Sequence, residues 1–130
     1  MYINDIIKAS TNGHFVLFAD DTNIFVAANT EAGVYQTANE ILVAIHRYML
    51  SNQLHINLGK CTYIHFRSGY NNKERLTCAR ARPYGNEPTL SLNGTKLKKV
   101  DQTRFLGIII DENLTWDSHI RFLEAKLNLL

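Results

Sequence analysis

The chain has 130 residues, a formal net charge of +2, 45% hydrophobic residues and 20% charged residues. This length allows one domain, or a piece of a larger one, with a modest core, and the composition is that of an ordinary globular protein. No stretch approaches the roughly 20 consecutive apolar residues of a membrane-spanning helix, and no signal-peptide pattern is present. The two cysteines, Cys61 and Cys78, form no CxxC pair. We therefore expect reduced thiols, an intracellular location, no membrane association and no zinc site.

The charge is distributed unevenly along the chain. Residues 1–66 carry a net charge of −2, residues 67–104 a net charge of +6, and residues 105–130 a net charge of −2. An acidic region beside a basic one suits a protein that holds both metal ions and a phosphate backbone. A basic loop region also occurs without any ligand, so this pattern favours nucleic acid without establishing it.

The first predicted elements are a hairpin and a helix. Residues 15–18 and 24–28 are apolar runs, and the turn-favouring residues 20–23 lie between them. Thr30 is a suitable N-cap for a helix. We predict an amphipathic helix from about 31 to 51 that packs against the hairpin. Its apolar face recurs at three- and four-residue spacing and consists of Val34, Ala38, Ile41, Leu42, Ile45 and Met49.

The middle of the chain is predicted to be mostly extended or irregular. Residues 54–58 and 60–67 have the composition of extended segments joined near Gly59. Residues 68–88 are rich in Gly, Asn, Arg and Pro, which predicts a long exposed loop.

The last part of the chain is predicted to contain a hairpin, a strand and a helix. Residues 89–97 alternate apolar and polar side chains around Asn93-Gly94, the strongest short-range signal for a two-residue hairpin turn. Residues 104–110 predict one buried strand, and a final helix is predicted to start near Thr115. The apolar face of that helix consists of Ile120, Leu123, Leu127 and Leu130. The face still continues where the sequence stops, so we expect the natural protein to be longer.

The acidic pair Asp20-Asp21 is the strongest candidate site in the sequence. Adjacent carboxylates on a tight turn place several acceptor oxygens in one small volume, which hard divalent ions such as Mg²⁺ neutralise. Two such ions about 4 Å apart can stabilise both the attacking and the leaving oxygen in phosphoryl transfer. Asp-Asp is also simply a favourable turn sequence. A small metal-dependent phosphohydrolase would need further ligands, and the five histidines show no metal-ligand spacing.

Four short segments follow one another along the chain. They are Phe18-Ala19-Asp20-Asp21, Leu54-His55-Ile56-Asn57-Leu58-Gly59-Lys60-Cys61, Phe105-Leu106-Gly107-Ile108-Ile109-Ile110-Asp111, and Leu114-Thr115-Trp116 with His119-Ile120. In this order and at roughly this spacing they resemble motifs of the reverse transcriptases of non-LTR retrotransposons, especially the jockey-like elements. The motifs are the metal-binding turn, the Leu-Asn-x-x-Lys-Thr motif, the primer grip and the start of the thumb. Cys61 stands where that family usually has Thr.

The resemblance implies an α+β fold. Residues 1–66 would form a partial polymerase palm, an antiparallel sheet with a packed helix. Residues 67–112 would form a basic loop, a hairpin and the primer-grip-like segment, and residues 113–130 the start of a thumb-like helix. Trp116 would anchor the core between palm and thumb, and the alternative role for its ring is stacking on nucleic acid.

The resemblance also assigns roles to individual residues. Asp20 would be the principal ligand of Mg²⁺, or of Mn²⁺, and Asp21 its less tightly engaged neighbour. Lys60 would help to protonate the departing pyrophosphate, although a lysine after a glycine turn is also an ordinary surface residue. The primer terminus would be positioned by Phe105, Leu106 and Gly107.

The implied function is that of an RNA-directed DNA polymerase acting on an RNA template, a DNA primer and deoxynucleoside triphosphates, in the nucleus. The family requires a third aspartate upstream of the acidic turn. Asp5 lacks the required strand pattern, and the fingers are not in the sequence, so we expect the isolated fragment to be inactive. The alternative is a catalytically dead remnant that binds nucleic acid through the basic residues 67–104.

Overall fold

The computed structural model describes residues 2–66 and 88–128, and the predicted loop 68–88 lies outside these residues except for Pro88. The described chain has an α+β fold, as predicted, with helix α1 at Glu31–Ser51, helix α2 at Asp117–Leu127 and short strands. Two 3₁₀ helices, Tyr2–Lys8 and Leu58–Lys60, accompany them. None of the described helices is both long and apolar enough to cross a bilayer.

The chain divides into two compact units. Their described parts are residues 2–61 with 88–97 in the first unit, and residues 62–66 with 98–128 in the second. Within the described residues the strands pair in twos, as hairpins or, for one pair, in parallel.

A tight antiparallel hairpin opens the first unit. Strand β1 spans His14–Phe18 and β2 spans Asp21–Phe25, with Phe18 paired to Asp21, so only Ala19 and Asp20 lie in the turn. The predicted hairpin is confirmed, but its turn consists of residues 19–20 and not of residues 20–23. Asp21, although a turn-favouring residue, joins the backbone ladder of the hairpin, because its short polar side chain does not prevent strand pairing.

Helix α1 packs against this hairpin and has the predicted boundaries. Thr30 caps it by accepting a hydrogen bond from the backbone N–H of Gly33 at 3.1 Å. Ile41 and Ile45 of the helix are buried together with Ile6 of the N-terminal 3₁₀ helix. The partly buried side chains packed around these three are Phe15, Leu17, Ile24, Val26, Tyr48, Met49 and Ile56.

A second, very short hairpin also belongs to the first unit. Strand β4 (Ser91–Leu92) pairs with β5 (Thr95–Lys96) around Asn93 and Gly94, whose φ angles are +51° and +75°. Both turn residues are left-handed, as a type I′ turn requires, which confirms the predicted Asn-Gly turn. The side chain of Asn39 on α1 holds the strand leading into it. Its Oδ1 accepts from the backbone N–H of Ser91 at 3.1 Å, and its Nδ2 donates to the carbonyl of Thr89 at 3.4 Å.

The second unit is built on another hairpin. Strand β3 (Thr62–Tyr63) lies parallel to β6 (Lys98–Lys99), and β7 (Gln102–Phe105) pairs antiparallel with β8 (Ile108–Asp111). The single buried strand predicted for residues 104–110 is wrong.

The β7–β8 turn explains that error. Leu106 and Gly107 have φ angles of +48° and +88°, and Leu106 is 54% exposed. A leucine at a left-handed position has no sequence signal, because L side chains other than Asn and Asp rarely adopt it. The strand-turn-strand expected from the resemblance does describe this segment.

Helix α2 follows the hairpin and begins at Asp117, two residues after the predicted start. Its predicted apolar face is exposed: Ile120 is 48% exposed, Leu123 43% and Leu127 67%. Trp116 is 63% exposed, so the expectation that it is a core anchor is wrong. Leu130 lies outside the described residues.

Asp111 fixes the connection between β8 and α2. It is 7% exposed, and its carboxylate accepts hydrogen bonds from the Thr115 hydroxyl at 2.6 Å, from the Thr115 backbone N–H at 3.0 Å and from the Asn113 backbone N–H at 2.9 Å. The bonds from Thr115 outweigh desolvation and lower the pKa of the Asp111 carboxyl below its ordinary value of 3.8. The charged carboxylate therefore stabilises the folded connection.

We predict that Asp111→Ala lowers the free energy of unfolding of the second unit by about 2 kcal/mol at neutral pH, the contribution of hydrogen bonds to a charged group. Because the folded pKa is lowered, this contribution is present above the ordinary pKa and is lost as the pH falls through the folded pKa. The difference between the two proteins should shrink below pH 3.8. Denaturant unfolding followed by the NMR signals of residues 102–111 measures it.

Two further variants make this test specific. Thr115→Val, which removes only the hydroxyl donor, should show part of the same loss. Asp101→Asn alters an exposed carboxylate of the same unit and should leave the stability unchanged. A loss of equal size in Asp101→Asn, or one that persists in acid, contradicts the assignment.

Candidate functional site

The acidic pair lies at the free end of the first hairpin. Asp20 is the second turn residue, Asp21 is the first residue of β2, and both side chains are exposed. Side chains alternate between the faces of a strand, and Ile24 of β2 packs against α1. Asp21 therefore projects from the face opposite α1, so the packing of the hairpin directs one carboxylate to solvent beside the turn.

 
The geometry of the β1–β2 turn places Ala19 in an unusual backbone conformation. Its φ angle is +51°, in the left-handed region that costs an L residue other than Gly roughly 1–2 kcal/mol. The strain is confined to the residue directly before Asp20. It is the backbone feature that reverses the chain within two residues and so brings both carboxylates to the tip.

The carboxylate oxygens of the pair are of the ligand type that Mg²⁺ prefers. Mg²⁺ is commonly held by one or two carboxylates together with substrate phosphates. Asp20 and Asp21 are two exposed adjacent carboxylates of this kind. Among residues 2–66 and 88–128, no three His, Cys, Asp or Glu side chains come together as a metal-binding group. The pair therefore fits a divalent ion whose remaining ligands come from substrate or from other protein segments.

Asp5 is engaged elsewhere. It lies in the 3₁₀ helix Tyr2–Lys8 and forms an ion pair with Lys8 at 2.8 Å. The hydrogen bond and charge of Asp5 raise the pKa of Lys8. This pair is a local contact within one helical turn.

Lys60 lies in a helical turn that Asn57 caps. The Oδ1 atom of Asn57 accepts from the backbone N–H of Gly59 at 3.1 Å, and the Asn57 carbonyl accepts from the N–H of Lys60 at 3.1 Å. The result is the 3₁₀ helix Leu58–Lys60, with the Lys60 side chain exposed. The extended segments predicted on either side of Gly59 are thus interrupted by this helical turn.

Cys61 completes the same turn. Its thiol donates to the Asn57 carbonyl at 3.3 Å, and burial raises the pKa of the Cys61 thiol. Cys61 stands where the motif that this segment resembles has Thr, and its side chain is also a hydrogen-bond donor. The raised pKa keeps the thiol protonated, as a donor must be.

The three primer-grip-like residues belong to the second unit. Leu106 and Gly107 form the exposed tip of the β7–β8 hairpin, and Phe105 pairs with Ile108 directly beside this turn. Asp20, Asp21 and Lys60 belong to the first unit.

The second unit contains a row of rings that was not predicted from the sequence. The centroids of Trp116 and His119 are 6.0 Å apart, and those of His119 and Phe122 are 6.2 Å apart. Arg104 and Lys126 lie 5.6 Å and 5.0 Å from the centroid of the Phe122 ring. The three-residue spacing of the rings is the signal that could have revealed this row.

Comparison with known proteins gives one informative similarity. No family model matches the chain, and no solved structure does. The chain is 25% identical, over 129 residues and 98% of its length, to the Retrovirus-related Pol polyprotein from type-1 retrotransposable element R1 of Bradysia coprophila. It spans 12% of the length of that relative. The chain is therefore a retrotransposon-related sequence, similar to one segment of a Pol polyprotein.

The strain at Ala19 gives a testable prediction. Ala19→Gly removes the left-handed strain but also makes the unfolded chain more mobile, so the two effects oppose each other. Ala27→Gly, at an exposed position without a positive φ, has only the second effect. We predict that the free energy of unfolding of Ala19→Gly exceeds that of Ala27→Gly by about 1–2 kcal/mol. Thermal unfolding followed by the helical circular dichroism signal measures it. Equal stability of the two variants contradicts the strained turn.

Proposed function

We propose that this chain is a segment of an RNA-directed DNA polymerase of a non-LTR retrotransposon, comprising part of the palm and the start of the thumb. The observation that carries the proposal is the exposed Asp20-Asp21 pair at the hairpin tip, in a chain similar over 98% of its length to a retrotransposon Pol polyprotein. An acidic turn alone is a common surface feature, and the similarity alone names no site. Together they favour nucleotidyl transfer.

In this proposal Asp20 and Asp21 hold Mg²⁺, with Mn²⁺ as a substitute. The ion, when bound, supplies charge neutralisation at the reacting phosphate and activation of the primer hydroxyl. The chain contributes the position of the carboxylates. Asp20 is fixed by the two-residue turn, and Asp21 by its backbone pairing with Phe18.

Lys60 and the second hairpin have supporting roles in the proposal. Lys60 is an exposed cation on a turn fixed by Asn57, and a cation near the leaving pyrophosphate stabilises its charge and can supply a proton. Phe105, Leu106 and Gly107 position the primer terminus. The RNA template, DNA primer and deoxynucleoside triphosphates bind to the assembled polymerase in the nucleus.

The proposal predicts that the isolated chain does not extend a primer. Two carboxylates lack the third ligand of a two-metal site, so incorporation with Mg²⁺ or Mn²⁺ should equal that of Asp20→Ala. A primer-extension assay on a homopolymer template measures it. Robust incorporation that Asp20→Ala abolishes would show a complete site within this chain.

A chimera tests the proposed function itself. The matching segment of the Bradysia coprophila Pol polyprotein is replaced by this chain, and Asp20→Asn is introduced into the active chimera. Loss of a metal ligand should exceed the 10- to 100-fold effect of removing an outer-shell partner, so we expect a drop on the order of 100-fold or more. The matched control, Asp101→Asn, should retain full activity. Extension that survives Asp20→Asn contradicts the proposed function.

The alternative function is a catalytically dead remnant that binds nucleic acid. The exposed side chains of Lys96 in the first unit and of Lys98 in the second unit favour it, because lysine contacts to phosphate give salt-dependent binding. A folded chimera that binds primer-template with steep salt dependence but never extends it would favour this alternative.

A further inference from the structure

His119 of α2 accepts a hydrogen bond from the backbone of β8. The backbone N–H of Ile109 donates to Nδ1 of His119 at 3.3 Å, and the contact is partly buried. Ile109 is paired with Arg104 of β7, but its N–H donates to the helix, so this N–H lies on the edge of β8 that faces away from β7. A partly buried amide at such an edge needs an acceptor, and His119 supplies it.

This hydrogen bond requires one protonation state of the ring. An imidazole nitrogen accepts a hydrogen bond only while it carries no proton, so His119 must be neutral, with its proton on Nε2. In the imidazolium form both ring nitrogens are donors, and Nδ1–H would then face the N–H of Ile109. Protonation therefore removes the bond and leaves the amide without its acceptor.

Two cations lie beside the same ring stack. The ring centroids of His119 and Phe122 are 6.2 Å apart. Arg104 of β7 and Lys126 of α2 lie 5.6 Å and 5.0 Å from the centroid of the Phe122 ring. Protonation of His119 would thus add a third positive charge to this group.

The acidic side chains of the hairpin and the helix are directed elsewhere. Asp111 at the end of β8 accepts its hydrogen bonds from the connection that follows the strand. Asp117 and Glu124 of α2 are two and five residues from His119, so at about 100° per residue they project roughly 160° and 140° away from it. The cation Arg121 also projects roughly 160° away. The proton of an imidazolium at this position would therefore gain no carboxylate partner from these elements.

The contact matters because the second unit has little apolar core. Among its described residues, only Asp111 is less than a tenth exposed. The hydrogen bonds of Asp111 hold the connection before the helix, whereas the hydrogen bond of His119 holds the first turn of α2 itself. Loss of the His119 bond therefore weakens the packing of the helix on the strand.

We propose that His119 is a pH-sensitive switch, which holds α2 against β8 in its neutral form and loosens this contact when it is protonated. Histidine side chains ordinarily change charge between pH 5 and 8. Because the closed contact requires the neutral ring, the open state binds more protons, so the stabilisation is present above this range and is lost as the pH falls through it. The lowered pKa of the Asp111 carboxyl, below 3.8, keeps that contact intact over the same range. The switch lies in the second unit and does not rest on the proposed polymerase function.

Amide hydrogen exchange of the full chain, measured by NMR between pH 5 and 8, tests the switch. The protection factor states how much more slowly an amide exchanges than in an unstructured peptide at the same pH. For Ile109 we expect it to fall roughly 2- to 12-fold towards pH 5, as for the loss of one net hydrogen bond. The fall should follow the titration of the His119 ring protons. The Ile110 amide, in the ladder pair with Thr103, should keep its protection.

Three variants make the test specific. His119→Asn keeps an acceptor oxygen near the position of Nδ1 but does not titrate, so the Ile109 protection factor should be independent of pH. His119→Phe keeps a ring without an acceptor, so this protection factor should be low at every pH. His55→Asn, at an exposed histidine of the first unit, is the matched control and should keep the pH dependence of the unchanged chain.

Three results overturn the proposal. One is an Ile109 protection factor that stays constant while the His119 ring titrates. Another is His119 ring signals that do not change between pH 5 and 8. The third is a pH dependence of Ile109 protection that persists in His119→Asn, which would assign it to another group.

Discussion

The packing of the β1–β2 hairpin on α1 is the interaction on which the first unit depends. Ile41 is 1% exposed and lies in the core cluster with Ile6 and Ile45. The approach is close: a Cβ atom at Gly13 would lie 2.9 Å from Cδ1 of Ile41, nearer than Cβ atoms pack in proteins. Because one face of the hairpin is buried in this way, Asp21 must project from the other face, and the acidic turn remains exposed at the free end.

In the second unit, polar contacts and not an apolar core connect the hairpin to the helix. The hairpin and α2 are joined through the carboxylate of Asp111. Among the described residues of this unit, only Asp111 is less than a tenth exposed. His119 adds a second polar contact to β8. These contacts fix the start of α2 and leave Trp116 and the apolar side chains of Ile120, Leu123 and Leu127 exposed.

The sequence predicted the elements whose cause is local. The α1 boundaries follow from the Thr30 cap and the apolar period, and the β4–β5 turn follows from Asn93-Gly94, whose residue types suit left-handed backbone. The residues that form the turns at Ala19 and Leu106 could not be identified in this way, because both residues adopt positive φ against their preference. Trp116 was expected to be buried, and its exposure depends on packing that a local pattern does not specify.

The candidate site likewise has a part that could be predicted from the sequence and a part that could not. The residue types of Asp20, Asp21 and Lys60 could be selected from the sequence, since their chemistry is carried by the side chains themselves. The supporting contacts could not. The structure shows two such contacts. Asn57 caps the helical turn that contains Lys60, and the Cys61 thiol donates to the Asn57 carbonyl.

Binding of a divalent ion by the acidic turn is tested most directly with Mn²⁺, whose unpaired electrons broaden nearby NMR signals. Amide signals of the full chain are recorded during a Mn²⁺ titration, with Asp20→Asn/Asp21→Asn as the comparison. We predict that broadening begins at residues 18–22 and disappears in the double variant. Broadening that spreads equally over the other exposed carboxylates, such as Asp101 and Asp117, or that persists in the double variant, would contradict it.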